Sequence, residues 1–299
     1  MDQAVLQKKE YIPLEWETVP CPFCGSMEYK LYQKFGSRMQ YRSVLCKNCN
    51  LVYLSPRPKY DQHFIDAAYA SYYQYADNLQ MNDETTVQHS SVHLFRKELN
   101  YIGQFDKMKT AVLDIGSGMG TFLYVAKPFY KEAVGLDVSE KMANFVERQV
   151  GVKVFITQLE NFNYPTKFSL IHMSHVLEHV PNPLEWLEKS KSLLEKNGIL
   201  VINIPHKFSL DRLFQHFLYR IKIKKQFSSG WKDPSRTPDH LFEPTIPAMK
   251  YLLNKTGFKI LEHYTYSRKD PASNRSLFAK FYHRFLKKGG NLAFITVPE

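Results

Sequence analysis

The chain of 299 residues contains only four cysteines, thirteen glycines and three tryptophans, and it is short of acid: 29 Asp and Glu face 40 Lys and Arg. It also lacks any long apolar run. A membrane-spanning helix needs about 20 consecutive apolar residues, and no stretch approaches that, so no such helix is expected. Four cysteines are too few to staple a chain of this length as a disulfide scaffold. The deficit of acid leaves a net charge of +11 with histidine neutral. Such an excess suits a polyanionic neighbour (nucleic acid, an anionic membrane surface or a phosphorylated substrate), and equally the solvated basic surface of a cytosolic enzyme. The rest is ordinary for a globular protein. Hydrophobic residues make up 44% and charged residues 23%, enough apolar surface to offset chain entropy over most of the length. Residues 1–15 are polar and charged, unlike a secretory signal. The expected location is cytoplasmic, with peripheral contact to the inner face of a membrane as an extension of that reading.

All four cysteines fall between Pro20 and Pro58. Cys21-x2-Cys24 is followed, after 21 residues, by Cys46-x2-Cys49. Two such knuckles can bring four thiolates into a tetrahedron around one Zn²⁺, with turn amides donating to the sulfurs. Four thiolates with no spare ligand describe a closed structural site and leave no cysteine for nucleophilic catalysis. An iron–sulfur cluster or a redox dithiol are the competing readings.

Residues 1–58 are therefore read as an N-terminal segment and zinc ribbon, 59–109 as a helical linker or cap rich in Tyr and His, and 110–299 as an α/β domain. In the last, short apolar runs at Ala111–Ile115, Ala133–Leu136, Phe168–Met173 and Ile199–Ile204 alternate with amphipathic stretches at Leu123–Phe129, Lys141–Val150 and Pro183–Leu194. Strands alternating with helices imply a parallel sheet with right-handed crossovers. A basic insertion spans 206–238. The tail then offers a helix at Ile246–Thr256, a stop at Gly257 and strands at Phe258–Tyr266 and Leu292–Val297.

Asp114-Ile115-Gly116-Ser117-Gly118-Met119-Gly120 follows the first of these strands and opens a helix. Glycines there allow a tight turn and close approach of the backbone to a ligand. Asp137 lies 17 residues after Gly120, at the end of the second strand. An acid at that place can accept from both ribose hydroxyls, with the ligand outside the carboxyl ends of the strands.

These residues resemble the class I S-adenosylmethionine-dependent methyltransferases. Leu113–Gly120 is similar to their first motif, and Gly135-Leu136-Asp137 to their second. His175-Val176-Leu177-Glu178-His179-Val180 resembles a signature that one large subset carries after the fourth strand. Leu193–Leu200, then His240-Leu241-Phe242-Glu243, Leu252-Leu253 and Gly257-Phe258, are similar to that subset's fifth-strand turn and tail. The ribbon followed by Leu51–Pro58 is similar to ribbon-bearing members associated with sugar, polysaccharide and natural-product methylation. The resemblance implies a Rossmann-like seven-stranded sheet, S-adenosylmethionine as cofactor, and cofactor contacts from Asp114, Gly116, Ser117, Gly118, Gly120, Asp137, Val138, Leu159, Glu160 and Ser174. Three positions depart from the family pattern. Ser169 stands where an acid is usual and mostly supports the loop, Gln158 replaces the acid beside the adenine, and Asn197-Gly198 replaces a glycine pair.

Methyl transfer from a sulfonium needs nucleophile, methyl and leaving sulfur held on one axis, and often a base for the acceptor's proton. Histidine suits that role near neutral pH. His175 and His240 are the leading candidates, with His179 as a third and His206 a fourth near the cleft. The alternatives are local: His179 and Glu178 bracing a helix, and His240, Asp239 and Glu243 capping the helix after Pro244. His175 and His179 are also spaced as a metal pair on one helix face would be, with no third ligand evident. Tyr69, Tyr72, Tyr73 and Tyr75 either approach the cofactor's methionine end, as the resemblance implies, or pack a helix between ribbon and sheet domain.

The insertion places Leu210, Leu213, Phe214, Phe217, Leu218 and Ile221 at helical spacing among Arg212, Arg220, Lys222, Lys224 and Lys225. A lid over the cleft, an interfacial helix on anionic lipid, and a packed or dimer-forming helix are its readings. Arg268, Lys269, Arg275, Lys280, Arg284, Lys287 and Lys288 extend the basic surface. The expected partner is a small-molecule or glycan acceptor, phosphorylated or nucleotide-linked. The alternative is RNA gripped by the ribbon and the basic surface. Ser174-His175-Val176-Leu177 stands where many amino-methylating nucleic-acid enzymes carry Asn/Asp-Pro-Pro-Tyr, which argues against methylation of an adenine or cytosine amino group.

Overall fold

The computed structural model describes residues 15–35, 41–62, 64–65, 90–206, 238–266 and 290–299. The tyrosine cluster 69–75, nearly all of the insertion and the basic stretch 268–288 lie outside the described residues.

The α/β part is built on one seven-stranded sheet. Its strands are β6 (Ala111–Ile115), β7 (Glu132–Asp137), β8 (Lys153–Ile156), β9 (Phe168–Ser174), β10 (Leu194–Pro205), β12 (Phe258–Tyr266) and β13 (Asn291–Pro298), in the order β12-β13-β10-β9-β6-β7-β8. Strands β6 to β10 run parallel, whereas β13 runs antiparallel to both β10 and β12. The chain order reverses between β6 and β9, which puts a crevice at their carboxyl ends. This is the mixed Rossmann-like sheet expected. Strand β8 has only four residues and was not among the strands read from apolar runs.

The two faces sort by period-2 alternation along each strand. Val112, Leu170, Ile199, Val201 and Ile295 meet helices α1 (Ser90–Ile102) and α2 (Thr121–Ala126) through Val92, Leu99, Ile102, Phe122 and Val125. Leu113, Ile115, Ile171, Met173, Leu200 and Ile202 face the other way. They join one continuous core with α4 (Pro183–Leu193), α5 (Ile246–Lys255) and the ribbon. Helix α3 (Glu140–Gln149) packs beside β8, and Ser139 caps it by accepting from Met142 N. Thr245 does the same for α5, accepting from Ala248 N.

The ribbon holds β2 (Tyr29–Phe35), β3 (Tyr41–Cys46) and β4 (Val52–Leu54), with the short pair β1 (Trp16–Glu17) and β5 (Arg57–Pro58) beside it. Its four-stranded sheet is completed from far along the chain. Strand β11 (Phe242–Glu243) pairs with β4, Phe242 opposite Tyr53 and Glu243 opposite Val52. Phe23 and Phe242 are fully buried and meet edge to face at 5.0 Å. Each such buried ring contributes roughly 1.5–3 kcal/mol. Ribbon and sheet domain therefore share a core.

Candidate active site

The glycine loop leaves β6 at the crevice. Gly116, Gly118 and Gly120 have φ of 68°, 51° and 69°, a left-handed region that side chains seldom adopt. Space is as tight as the backbone is unusual. A Cβ on Gly116 would sit 2.3 Å from Val176 Cγ2, and one on Gly120 2.8 Å from Val146. The loop is thus wedged between the end of β9 and α3. The Gly116 and Ser117 amides donate to Leu136 O, and the Gly118 amide donates to Asp137 Oδ2 at 2.8 Å. Asp137 Oδ1 accepts from Ser139 N at 2.9 Å. Burial pushes the Asp137 carboxyl up, and the Ser139 and Gly118 amides oppose that. Each oxygen keeps a lone pair for an outside donor. Ser117 Oγ is buried with no partner. Val138 and Ile156 are 53% and 52% exposed on either side of Asp137, so two apolar side chains flank the acid. An orphaned hydroxyl, a backbone cradle and two exposed apolar residues beside a carboxylate fit an adenosine-bearing cofactor.

Leu159 is fully buried in the core. Glu160 is exposed, and its carboxylate accepts from Trp186 Nε1 on α4. Ser169 does not support the loop. It accepts from Thr110 N and donates toward Asp106 and Ala111 O, at the opposite end of the sheet. Ser174 ends β9, opposite Asn203.

Asp114 has a partner that the sequence did not reveal. Its register partner on β9 is His172, and Asp114 Oδ1 lies 2.7 Å from His172 Nδ1. The imidazole stacks on Phe122 at 3.7 Å. His172 Nε2 is 3.8 Å from Glu98 Oε2, and Asn203 Nδ2 donates to Glu98 Oε1 at 2.6 Å. Burial alone would lower the His172 pKa, but the Asp114 and Glu98 carboxylates outweigh it and raise it to about 9. A buried imidazole thus lies between two carboxylates beneath the glycine loop, and burial pushes the Asp114 carboxyl up against the pull of His172.

The histidines of the cleft converge on Glu178. His175 has φ of 57° and donates its amide to Asn203 O, so the chain turns sharply off β9. Leu177–His179 is a single 3-10 turn. His175 and His179 therefore do not share a helix face, and their common feature is the acid between them. Glu178 is fully buried and neither carboxylate oxygen has a hydrogen-bond partner. Its Oε1 lies 3.3 Å from His175 Nδ1, 3.9 Å from His179 Nε2 and 3.9 Å from His240 Nε2. Burial would raise its pKa, but the three imidazoles bring it down to about 2. His240 and Glu243 are not helix caps, since Thr245 fills that place. Glu243 is buried in β11 with Oε1 3.8 Å from His240 Nδ1. His206, at the end of β10, donates its amide to Gly290 O.

In the ribbon the four sulfurs lie within 4.8 Å of one another. Cys21 and Cys49 Sγ are 3.4 Å apart, and Cys24 and Cys46 Sγ 3.5 Å. Burial disfavours the Cys24 thiolate, yet the Ser26 amide and the Asn48 side chain bring its pKa down to about 7. Four converging sulfurs on amide-bearing turns fit a closed tetrahedral metal site.

Sheet order, glycine loop and acid at the end of β7 define the methyltransferase-type α/β domain. Comparison with known proteins agrees. A family profile described as a methyltransferase domain matches residues 87–263, more than half of the chain, and the chain belongs to that family. It is 31% identical over 143 residues to an uncharacterised protein of Methanocaldococcus jannaschii, covering 46% of this chain and 64% of that one. It is 28% identical over 167 residues to a tRNA U34 carboxymethyltransferase of Aliarcobacter butzleri, covering 53% and 50%. The chain thus spans about half to two-thirds the length of these relatives. Magnesium protoporphyrin IX methyltransferase of Synechocystis PCC 6803, solved with S-adenosylhomocysteine, superposes with a TM-score of 0.53 at 13% identity, over 80% of this chain and all of that one. Among the described residues no helix is long and apolar enough to cross a membrane.

Proposed function

We propose that the chain is an S-adenosylmethionine-dependent methyltransferase acting on a sugar, glycan or other small-molecule acceptor. The observation that carries the reading is the crevice itself. A strained glycine loop tied to Asp137 lies beside a turn that brings His175, His179 and His240 around one buried carboxylate. The cofactor, held by Gly116–Gly120, Asp137, Val138 and Ile156, supplies an activated methyl when bound. Asp114 and His172 keep the loop's approach rigid. His175 Nδ1 faces Glu178, which leaves its buried Nε2, without a partner, as the group to take a proton from the acceptor. This is the base-and-orienter arrangement of activated nucleophile sites. The four cysteines hold a structural Zn²⁺ that fixes the ribbon against α5.

The named tRNA-modifying relative and the excess of basic residues favour RNA as the second reading. One experiment separates the two. The purified chain and Asp137→Ala are titrated calorimetrically with S-adenosylhomocysteine, then supplied with labelled cofactor and either nucleotide sugars or bulk tRNA. Micromolar-range binding lost in the variant, with label entering the sugars, is expected. Label in tRNA alone would replace the acceptor class, and no binding of the homocysteine product to the folded chain would sink the enzyme reading.

A further inference from the structure

The network behind Asp114 is rich in acceptors and holds no permanent cation. Asp114 Oδ1 and His172 Nδ1 are 2.7 Å apart, and both residues are buried. Glu98 Oε2 lies 3.8 Å from His172 Nε2, and Glu98 Oε1 accepts from Asn203 Nδ2 at 2.6 Å. Two carboxyl groups therefore share one imidazole. Protonating the ring offsets one carboxylate, whereas a proton on Asp114 leaves the ring neutral. With Glu98 ionised, the cluster keeps at least one negative charge in either arrangement. Among the described residues no Lys or Arg pairs with Asp114 or Glu98. Phe122 stacks on the imidazole at 3.7 Å and Phe95 meets it edge-on at 5.8 Å, so the charge sits among apolar rings, where a field carries further than in water. Asn203 supplies a second, independent observation. Its Nδ2 is turned to Glu98, and its Oδ1 is buried with no partner. Its backbone oxygen accepts from the His175 amide, and it pairs with Ser174. The open acceptor thus lies where β9 and β10 reach the crevice.

We propose that Glu98, acting through His172 and Asn203, makes the crevice prefer the sulfonium of S-adenosylmethionine to the neutral thioether of its product. This rests on the methyltransferase reading above. The two molecules share adenosine, ammonium and carboxylate, and they differ by one methyl group and one positive charge. Contacts with the shared parts bind both alike, so discrimination between them needs a difference in field or in fit at the sulfur. A net negative charge under the glycine loop supplies the field. It attracts the charged cofactor and loses that attraction once the methyl has left, which favours exchange of product for fresh cofactor. Asp114 cannot supply it alone, because His172 offsets it across 2.7 Å. The excess comes from Glu98, which reaches the ring from α1 and is held there by Asn203.

The test is a ratio of two affinities. The full chain is titrated calorimetrically with S-adenosylmethionine and, separately, with S-adenosylhomocysteine. Glu98→Gln keeps the length of the side chain and an acceptor toward Asn203 but removes the charge. It should shift the ratio against S-adenosylmethionine by roughly three- to ten-fold, mainly through weaker binding of the charged ligand. Glu98→Asp keeps the charge and should hold the ratio within about two-fold. A merely structural role for Glu98 would weaken both ligands alike and leave the ratio where it was. Glu98→Met, uncharged and of similar length, stands in should the glutamine variant fail to fold. An unmoved ratio in the uncharged variant, or the same shift in Glu98→Asp, overturns the proposal and leaves the methyltransferase. A wild-type chain that binds neither ligand removes the methyltransferase reading and this proposal with it.

Discussion

Replacing His172 by glutamine tests the buried network under the glycine loop. Glutamine keeps a donor toward Asp114 but brings no charge. In the wild type the imidazole is held at about 9 against an ordinary value near 6.5. A raised pKa means that the protonated form is the one stabilised on folding. The contribution is complete below about pH 6.5 and is lost as pH climbs through about 9. At about 1.4 kcal/mol for each tenfold change in proton affinity, this is on the order of 3 kcal/mol. For a domain of this size it corresponds to about 6–12 °C in melting temperature. Thermal melts of both proteins from about pH 6 to about pH 10 should show that gap at the acid end. It should then narrow to a residue set by the lost stacking on Phe122. A gap independent of pH would mean that the ring is neutral when folded, and one that widens with pH would reverse the argument.

Two further outcomes follow from the crevice. Gly116→Ala combines a left-handed backbone with a Cβ 2.3 Å from Val176 Cγ2. It should cost about 1–3 kcal/mol of stability and at least ten-fold in S-adenosylhomocysteine affinity, read by calorimetry; unchanged affinity would place the cofactor elsewhere. His175→Gln should lower kcat by roughly 10²–10⁴-fold while leaving product affinity within a few-fold. Equal losses in both would make His175 a support of the loop.

The α/β alternation was legible because short apolar runs between amphipathic stretches need no partner to be recognised. The glycine loop, Asp137 and the two cysteine knuckles were legible for a similar reason: each is local, and its spacing states its chemistry. What stayed hidden depends on register and distance. Asp114 and His172 are 58 residues apart and meet only because β6 and β9 pair in one particular register. Glu98 and Asn203 join them from α1 and β10. Glu178 read as a local brace because a helix was expected where the chain makes a 3-10 turn after a left-handed His175. The hydrogen bond from Trp186 to Glu160 was hidden too, because nothing local announces it. Ile156 was missed along with β8, whose four residues are too few to show a period.

The least local feature, β11, makes the ribbon part of the cleft. Leu54 N donates to Leu241 O, Leu241 N donates to Glu178 O, and Arg57 Nη1 donates to Pro181 O. The strand that completes the ribbon sheet thus begins two residues after His240 and contains Glu243. Among the described residues the glycine loop has no such tie, since it rests on β7, α3 and Val176. A Cys49→Ser change should therefore act unevenly. A structural metal and its ligands fold together, so losing one ligand loosens β3, β4 and β11 and lets His240 drift from Glu178. Displacement of a positioned group by about 1 Å costs on the order of 100-fold in rate. With the acceptor found by the screen, kcat/KM should fall by at least ten-fold while S-adenosylhomocysteine affinity holds within a few-fold. Loss of both together would mean that the ribbon supports the whole sheet domain. Loss of neither would reduce it to an appendage, and the shared core around Phe23 and Phe242 argues against that outcome.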